Sequence, residues 1–168
     1  MKKGITLIGM PGSGKSTLGK LLARDLKYKF IDLDELILKE VSLSPHDYMI
    51  KNGEQGLLEL EEKLTMRLDF KNKIFSPGGS IVFSRKAMEK LKKETMIIYL
   101  KVDLKKLKSR IKNIDTRAII GLTKFGFDKL FKIRSPLYEA GADITIKITN
   151  ESSLKIKDKI LSLLKEVI

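Results

Sequence analysis

Residues 9–17 read Gly9-Met10-Pro11-Gly12-Ser13-Gly14-Lys15-Ser16-Thr17, a match to the phosphate-binding P-loop pattern G-x-x-x-x-G-K-S. The pattern requires glycines because backbone N–H groups must wrap a phosphate at the start of a helix, with no side chain in the way. An apolar segment at residues 5–8 precedes the loop, and residues 18–22 carry leucines at helical spacing. This order of strand, loop and helix favours a P-loop over the alternative, a glycine turn that binds no nucleotide.

The P-loop pattern also predicts what its residues do. Lys15 is expected to place its ammonium group against the β- and γ-phosphates of a nucleotide, and the Ser16 hydroxyl is expected to ligate the Mg²⁺ that bridges them. The predicted nucleotide-binding residues in the loop are Gly12, Ser13, Gly14, Lys15, Ser16 and Thr17. The sequence therefore predicts Mg²⁺ with ATP as the cofactor.

Length and composition favour one α/β domain over residues 1–168, because 42% hydrophobic residues are enough for a core. The chain has no cysteine, which excludes disulfides and thiolate metal sites and is usual for a reducing compartment. The N-terminus lacks the apolar stretch of a signal peptide, and no run approaches membrane-spanning length. We therefore expect a cytoplasmic protein with no membrane partner, acting as a monomer.

The formal net charge is +13, from 34 Lys and Arg against 21 Asp and Glu. Such an excess suits a polyanionic partner. However, the lysines are spread over every predicted helix and form no basic stripe interleaved with aromatic residues. Nucleic-acid binding is therefore not expected as the main role, although the positive charge should help to attract an anionic nucleotide and substrate.

Two aspartates follow the second predicted strand, residues 28–33. Asp32 and Asp34 are two positions apart on what we expect to be an extended segment, so their side chains should point the same way, towards the ligand crevice at the strand ends. Asp32 is placed to hold the Mg²⁺ shell through water, and Asp34 to accept the proton of a substrate hydroxyl. Alternatively, Asp34 caps a helix that begins at Glu35, and the two roles are compatible.

Helices are predicted at residues 35–41 and 45–51 and, after a break at Gly53, at residues 55–70. This insertion is too long for a simple crossover, so we expect the region 33–70 to cover the second substrate. His46, the only histidine, is interpreted as a surface or capping residue rather than a catalytic one.

In the middle of the chain, the sequence pattern predicts strands at residues 73–76 and 95–102, with a helix at 85–92 between them. Gly78 and Gly79 follow the first of these strands, where glycines would let the backbone approach a ligand, although an ordinary turn is the alternative. Asp103 is predicted to cap a helix that ends near Lys112.

Residues 113–126 show no clean periodicity, and a loop of this length in a compact domain is usually functional. Arg110 precedes this loop and Arg117 lies inside it, which indicates a lid that brings a guanidinium to phosphate and excludes water; an exposed loop arginine is the alternative. Arg134 lies on a helix predicted at residues 127–139. A strand at 142–148 and a helix at 152–168 complete the chain.

Taken together, these motifs resemble the shikimate kinase family of P-loop small-molecule kinases. The similarity spans nearly the whole chain. It covers residues 9–17, 30–34, Gly53-Glu54, the glycine turn, Arg117, and the run Arg134-Ser135-Pro136-Leu137-Tyr138-Glu139 followed by Ala142-Asp143. The resemblance implies a three-layer α/β/α fold of the nucleoside-monophosphate-kinase type, with a five-stranded parallel sheet, a helical substrate-binding region and a lid.

The resemblance also implies roles for individual residues. Lys15, Ser16 and Asp32 correspond to the Mg·ATP set, and Asp34 to the residue that orients and deprotonates the acceptor hydroxyl. The remaining implied contacts are Gly78 and Gly79 with the substrate, Arg117 in the lid, Arg134 with the substrate carboxylate, and Arg110 beside adenine.

Two departures from the family pattern fall on the acceptor side. After Gly53-Glu54 the family usually carries a Phe-Arg pair whose arginine binds the carboxylate, whereas this chain has Leu57-Leu58. A charge-assisted bond is worth about 1.5–3 kcal/mol, so its loss would weaken binding roughly tenfold to a hundredfold unless another cation substitutes. The glycine turn also has two glycines where the family has three.

The predicted function is an ATP-dependent kinase that acts on a hydroxyl of a small anionic metabolite, with shikimate converted to shikimate 3-phosphate as the leading case. Lys15, Asp34 and Arg117 are the predicted catalytic residues. The departure at Leu58 leaves open a related kinase for another alcohol, and the net charge leaves open a nucleotide-binding regulatory or RNA-associated module. A nucleoside monophosphate kinase is disfavoured, because no arginine cluster for a second nucleotide is evident.

Overall fold

The computed structural model describes residues 2–167 as five strands and eight helices, with side chains described up to residue 165. The strands are β1 (Gly4–Ile8), β2 (Lys29–Asp32), β3 (Lys73–Ser76), β4 (Thr95–Val102) and β5 (Ile144–Ile148). The helices are α1 (Lys15–Leu26), α2 (Leu33–Val41), α3 (Pro45–Arg67), α4 (Arg85–Glu94), α5 (Leu104–Arg110), α6 (Leu122–Phe125), α7 (Phe127–Gly141) and α8 (Ser153–Val167). Short 3₁₀ helices lie at Gly79–Phe83 and Ile114–Thr116.

All five strands are parallel and lie in the order β2-β3-β1-β4-β5. This arrangement confirms the five-stranded parallel sheet that the resemblance implied. Because parallel strands end at the same edge, the segments that follow β2, β3 and β1 meet there. In that register Asp32 lies opposite Ser76, one residue before the glycine turn. The sheet therefore gathers the P-loop, the aspartates and the turn at one edge.

The centre of the sheet is apolar because helices cover it. Every residue of β1 is buried, and six of the eight residues of β4 are buried, as expected for strands in the middle of a parallel sheet. Helix α1 packs on β3 and on α8, whereas α4 and α7 pack on β4. A polar pair lies between β1 and β4, where the hydroxyl groups of Thr6 and Thr95 are 2.9 Å apart and satisfy one another.

Helix α3 is interrupted where the sequence predicts a break. Gly53 has φ 77° and ψ 170°, a non-helical conformation, and the helix continues on both sides of it. The second half ends at Arg67, three residues before the predicted end. The predicted end is wrong because Leu68 is extended, with φ −74° and ψ 138°, and Phe70 is drawn fully into the core.

The capping predictions need two corrections. Asp32, not Asp34, is the N-cap of α2, and its Oδ1 accepts a hydrogen bond of 3.0 Å from the backbone N–H of Asp34. Asp103 does occupy the N-cap position of α5, but its side chain accepts no capping hydrogen bond. Within residues 2–167 no helix is long and apolar enough to cross a bilayer.

The predicted lid segment, residues 113–126, is not a plain loop. It forms a 3₁₀ turn at Ile114–Thr116 and the single helical turn α6. Both are too short to produce a detectable helical period in the sequence. The segment is attached to α3, because the backbone N–H of Gly121 donates a hydrogen bond of 2.8 Å to Glu54 Oε1.

Candidate active site

The P-loop connects β1 to α1 in the conformation that its sequence requires. Gly12 has φ 82° and Gly14 has φ 97°, a left-handed region that residues with a Cβ rarely adopt. Gly14 is the N-cap of α1, and no side chain caps that helix end, which leaves its first N–H groups available to an anion. Ser13 is buried in the loop, and Thr17 lies in the first turn of α1.

Lys15 lies against its own loop. Its Nζ donates hydrogen bonds to the carbonyl oxygens of Gly9, at 2.8 Å, and Met10, at 3.1 Å. Desolvation lowers the pKa of Lys15 to about 8, although the nearby Asp34 carboxylate acts in the opposite direction. An anion bound in the loop would stabilise the ammonium form and raise this pKa again.

Ser16 and Asp32 meet at the mouth of the loop. The Ser16 Oγ donates a hydrogen bond of 2.7 Å to Asp32 Oδ2. A hydroxyl and a carboxylate beside a phosphate-binding loop are the hard oxygen donors that suit Mg²⁺. The predicted metal-binding pair is therefore brought together in one place.

The P-loop and the aspartates line one cleft of about 580 Å³. Its wall includes Lys15, Ser16, Asp32 and Asp34 on one side and Arg117 on the lid segment. Asp34 lies in the first turn of α2, so the prediction that both aspartates lie on one extended segment is wrong. Both carboxylates nevertheless line the cleft, because β2 ends at its edge.

The Asp34 side chain lines the cleft, and the surrounding residues partly desolvate it. This desolvation, together with the neighbouring Asp32 carboxylate, raises the pKa of Asp34 above its ordinary value, while Lys15 and Arg117 oppose the change. A carboxylate with a raised pKa accepts a proton more readily near neutral pH. This environment suits a group that takes a proton from an alcohol.

Glu61 is a cleft residue that the sequence analysis did not identify. Its side chain is 3% exposed, and Ser80 Oγ donates a hydrogen bond of 2.6 Å to its Oε2. Burial raises the pKa of Glu61 to about 7. The available signal was its position in α3, where it shares a helical face with the buried Leu57 and Leu64.

Gly78 and Gly79 are required for close approach and not for an unusual turn, since neither has positive φ. A Cβ on Gly78 would lie 2.6 Å from Glu61 Oε1. A Cβ on Gly79 would lie 2.8 Å from Arg134 Nη1 and 3.0 Å from the Tyr138 hydroxyl. Both glycines line the cleft, with buried polar side chains directly behind them.

Arg134 lies behind Gly79 and outside the cleft wall. It is 1% exposed, its Nη2 donates a hydrogen bond of 2.7 Å to the carbonyl oxygen of Ile120, and its guanidinium carbon lies 5.2 Å from the centre of the Phe83 ring. Leu58 is only half-buried, packs against the core and is likewise absent from the wall. The Arg134 guanidinium is therefore buried directly behind the glycine turn that lines the cleft.

Arg110 lines a second depression of about 320 Å³, which shares Gly12, Gly14 and Thr17 with the main cleft. Its Nη1 donates a long hydrogen bond of 3.4 Å to the carbonyl oxygen of Gly12. The depression continues from the phosphate loop, which is where the base of a bound nucleotide is expected.

His46 is not the capping residue of α3, one of the two roles expected for it. Ser44 is the N-cap of α3, since its Oγ accepts a hydrogen bond of 3.0 Å from the N–H of Asp47. The imidazole of His46 is half-buried and lines the main cleft. Among the described residues, Nδ1 of this ring has no hydrogen-bond partner and is shielded from solvent.

The chain is similar over nearly its whole length to proteins of one family. The sequence model of the family described as shikimate kinase matches residues 11–165. A shikimate kinase of Persephonella marina is 35% identical over 160 residues, covering 95% of this chain and 97% of the relative. A shikimate kinase of Enterococcus faecalis is 34% identical over 165 residues, covering 96% of this chain and 98% of the relative.

The solved structures include a shikimate kinase from Acinetobacter baumannii in complex with shikimate, with a TM-score of 0.87 and 27% sequence identity. The alignment covers 99% of this chain and 94% of that chain. This chain therefore belongs to the shikimate kinase family.

Proposed function

We propose that this chain transfers the γ-phosphoryl group of ATP to a hydroxyl of shikimate, giving ADP and shikimate 3-phosphate. The observation that carries the proposal is the single cleft lined both by the P-loop and by Asp34. A phosphate-binding loop and a carboxylate in one cleft suit direct transfer from a nucleotide to an alcohol. The name of the relatives supports the identity of that alcohol.

The nucleotide is proposed to bind along the P-loop, with backbone N–H groups of residues 12–17 on its phosphates and Arg110 beside its base. Lys15 exchanges its two carbonyl partners for phosphate oxygens. Because an anion favours the ammonium form, Lys15 is protonated when the nucleotide is bound. Its charge then opposes the negative charge that develops during transfer.

Mg²⁺ fits the pair formed by Ser16 and Asp32, which are hard oxygen donors at the phosphate end of the cleft. We propose that the Ser16 hydroxyl binds the ion directly and that Asp32 holds it through water. When bound, Mg²⁺ neutralises charge on the β- and γ-phosphates.

In the transfer step the acceptor oxygen forms a bond to the γ-phosphorus while the bond from that phosphorus to the β-phosphate bridging oxygen breaks, and ADP leaves. The proton of the hydroxyl passes to the Asp34 carboxylate. Arg117 places its guanidinium on the transferred group. Positioning and charge neutralisation supply most of the rate enhancement in reactions of this class.

The acceptor is proposed to lie among Asp34, Gly78 and Gly79, under the helical region 33–70, with residues 113–126 closing as a lid. Arg134 contributes positive charge from behind Gly79, which favours an anionic acceptor. The whole of residues 1–168 would then act as one kinase domain.

The test is ADP release from purified protein in a coupled assay with Mg·ATP and shikimate, with phosphorus NMR to identify the product. A panel of other small hydroxy acids tests the related kinases that Leu58 leaves open. Lys15→Ala serves as the control for contaminating kinases. If millimolar shikimate releases no ADP above the Lys15→Ala background, the proposed acceptor is wrong; if another acid does so, that acid replaces it.

A further inference from the structure

The edge of the sheet opposite the cleft carries a cluster of lysines. Strands β2, β3 and β1 are neighbours in the sheet, and two lysines lie at or just before the first residue of each strand. We call these six residues the basic edge: Lys2, Lys3, Lys27, Lys29, Lys71 and Lys73. The three segments are far apart in the sequence, so the cluster exists only in the folded chain.

Backbone contacts hold the three segments of the basic edge side by side. Lys29 and Lys73 are direct partners in the register of β2 and β3. The N–H of Lys29 donates a hydrogen bond of 3.0 Å to the carbonyl oxygen of Asn72, and the N–H of Asn72 donates one of 2.9 Å to the carbonyl oxygen of Lys3. Neighbouring strands lie about 4.8 Å apart, so the row of three segments is about 10 Å across.

The acidic residues that flank the basic edge do not neutralise it. Each of the four pairs with a lysine: Asp143 with Lys2, Asp69 with Lys73, Glu94 with Lys90, and Asp25 with Lys157. The first two of these pairs use a lysine of the basic edge. Among the described side chains, the other four lysines of the edge are exposed and form no salt bridge: Lys3, Lys27, Lys29 and Lys71. Four positive charges therefore remain available at this surface.

The residues between the lysines indicate which kind of anion fits the basic edge. Tyr28 lies between Lys27 and Lys29 and is half-buried, so part of its side chain is accessible. Sites for single-stranded nucleic acids combine cations that follow the phosphates with aromatic rings on which bases stack. The exposed large hydrophobic side chains that a membrane-binding surface would bury are absent from residues 2–3, 27–29 and 71–73. The composition of the edge therefore favours a nucleic acid over a lipid surface.

We propose that the basic edge binds a single-stranded nucleic acid without preference for base sequence. The four lysines that form no salt bridge contact its phosphates, and one base stacks on Tyr28. The cleft lies where the strands end and the basic edge lies where they begin, so the strand and the nucleotide occupy separate sites. The inference adds a second binding surface to the kinase domain and does not depend on the identity of the acceptor.

The first test measures binding of a fluorescein-labelled oligouridylate of about 12 nucleotides by fluorescence anisotropy at several KCl concentrations. Four phosphate contacts predict that the logarithm of the association constant falls with the logarithm of the salt concentration with a slope of about −3. The triple variant Lys27→Gln, Lys29→Gln, Lys71→Gln retains one of these contacts. Its slope should be about −1, and its affinity at low salt should be about tenfold lower or less.

A second triple variant provides the matched control, because it removes the same amount of charge from exposed lysines of α5, α7 and α8: Lys105→Gln, Lys132→Gln, Lys155→Gln. Its affinity and salt slope should match those of wild type. If both triple variants weaken binding equally, binding reflects the total charge of the protein and the inference fails. Saturating Mg·ATP should not displace the oligouridylate, and competition between the two would place the strand in the cleft and overturn the inference.

The contribution of the bases is tested with Tyr28→Leu, which keeps an apolar side chain against the core. This variant should bind oligouridylate about fivefold more weakly or less tightly still, whereas an abasic strand of the same length should bind wild type and variant equally. If the abasic strand binds wild type as tightly as oligouridylate does, the surface accepts any chain of phosphates and the inference is wrong. Wild type that binds phosphatidylserine vesicles but no oligouridylate would show a membrane-binding surface instead.

Discussion

Glu61→Gln is expected to stabilise the protein in a strongly pH-dependent way. The Glu61 side chain is 3% exposed, and burial raises its pKa from 4.5 to about 7 even though Ser80 donates a hydrogen bond to it. A glutamine at this position has no charge to bury, and its amide oxygen can still accept that hydrogen bond. The variant therefore removes the penalty of a buried carboxylate.

The sign of the effect follows from proton linkage. Between pH 4.5 and about 7 the unfolded chain has released the Glu61 proton while the folded chain retains it, so the folded state binds more protons. The free energy of unfolding of wild type therefore falls as the pH rises through this window. One pKa unit corresponds to about 1.4 kcal/mol, which gives a loss of about 3 kcal/mol in total. Glu61→Gln does not titrate and escapes this loss.

Urea unfolding at several pH values from 4.5 to 8 measures the difference directly. The free energy of unfolding is expected to fall by about 2 kcal/mol per molar of urea. The urea midpoint of Glu61→Gln minus that of wild type should therefore be about 1–1.5 M larger at pH 8 than at pH 4.5. Glu59→Gln, on the exposed face of the same helix, should show no such gain. A stability difference between Glu61→Gln and wild type that is the same at pH 4.5 and pH 8 would show that the buried Glu61 carboxyl does not titrate with a raised pKa.

Three other predictions concern the cleft and the lid segment. Lys15→Ala and Asp34→Ala should each lower kcat by a factor on the order of 10²–10⁴ with an unchanged thermal midpoint, and an active, folded Asp34→Ala protein would remove that residue from the mechanism. Gly79→Ala should lower the free energy of unfolding, measured with urea, by about 1–3 kcal/mol, because its Cβ would lie 2.8 Å from a buried guanidinium nitrogen. An unchanged free energy of unfolding would mean that the guanidinium moves aside freely. Glu54→Ala removes the acceptor of the Gly121 N–H and should speed proteolytic cleavage within residues 113–126, whereas unchanged cleavage would show that this bond does not hold the segment.

The parts of the fold that depend on local sequence were predicted well. The P-loop needs only its glycines and the strand before it, and β3 and β4 have the predicted ends because each is a short apolar run between polar or turn-forming residues. Gly53 interrupts α3 as expected. In these segments the local preference and the tertiary structure agree.

The residues whose surroundings were not predicted from the sequence depend on contacts between distant segments. Glu61 was overlooked because a charged residue in a helix is normally exposed, and only the fold places Ser80 against it. His46 was interpreted as a surface residue because its cleft exists only when α3 meets the strand ends. The burial of Arg134 behind Gly79 likewise follows from the packing of α7 and could not be derived from the spacing of residues.

The position of Lys15 against its own loop has a consequence for chemical labelling. A lysine at the ordinary pKa of 10.5 is almost entirely unreactive ammonium at pH 8, whereas a pKa of about 8 leaves roughly half of the side chain as a nucleophilic amine. In the nucleotide-free protein this side chain should be acylated or reductively alkylated early. Because bound phosphates restore the ammonium form and cover the side chain, occupancy of the loop can be followed as protection from modification.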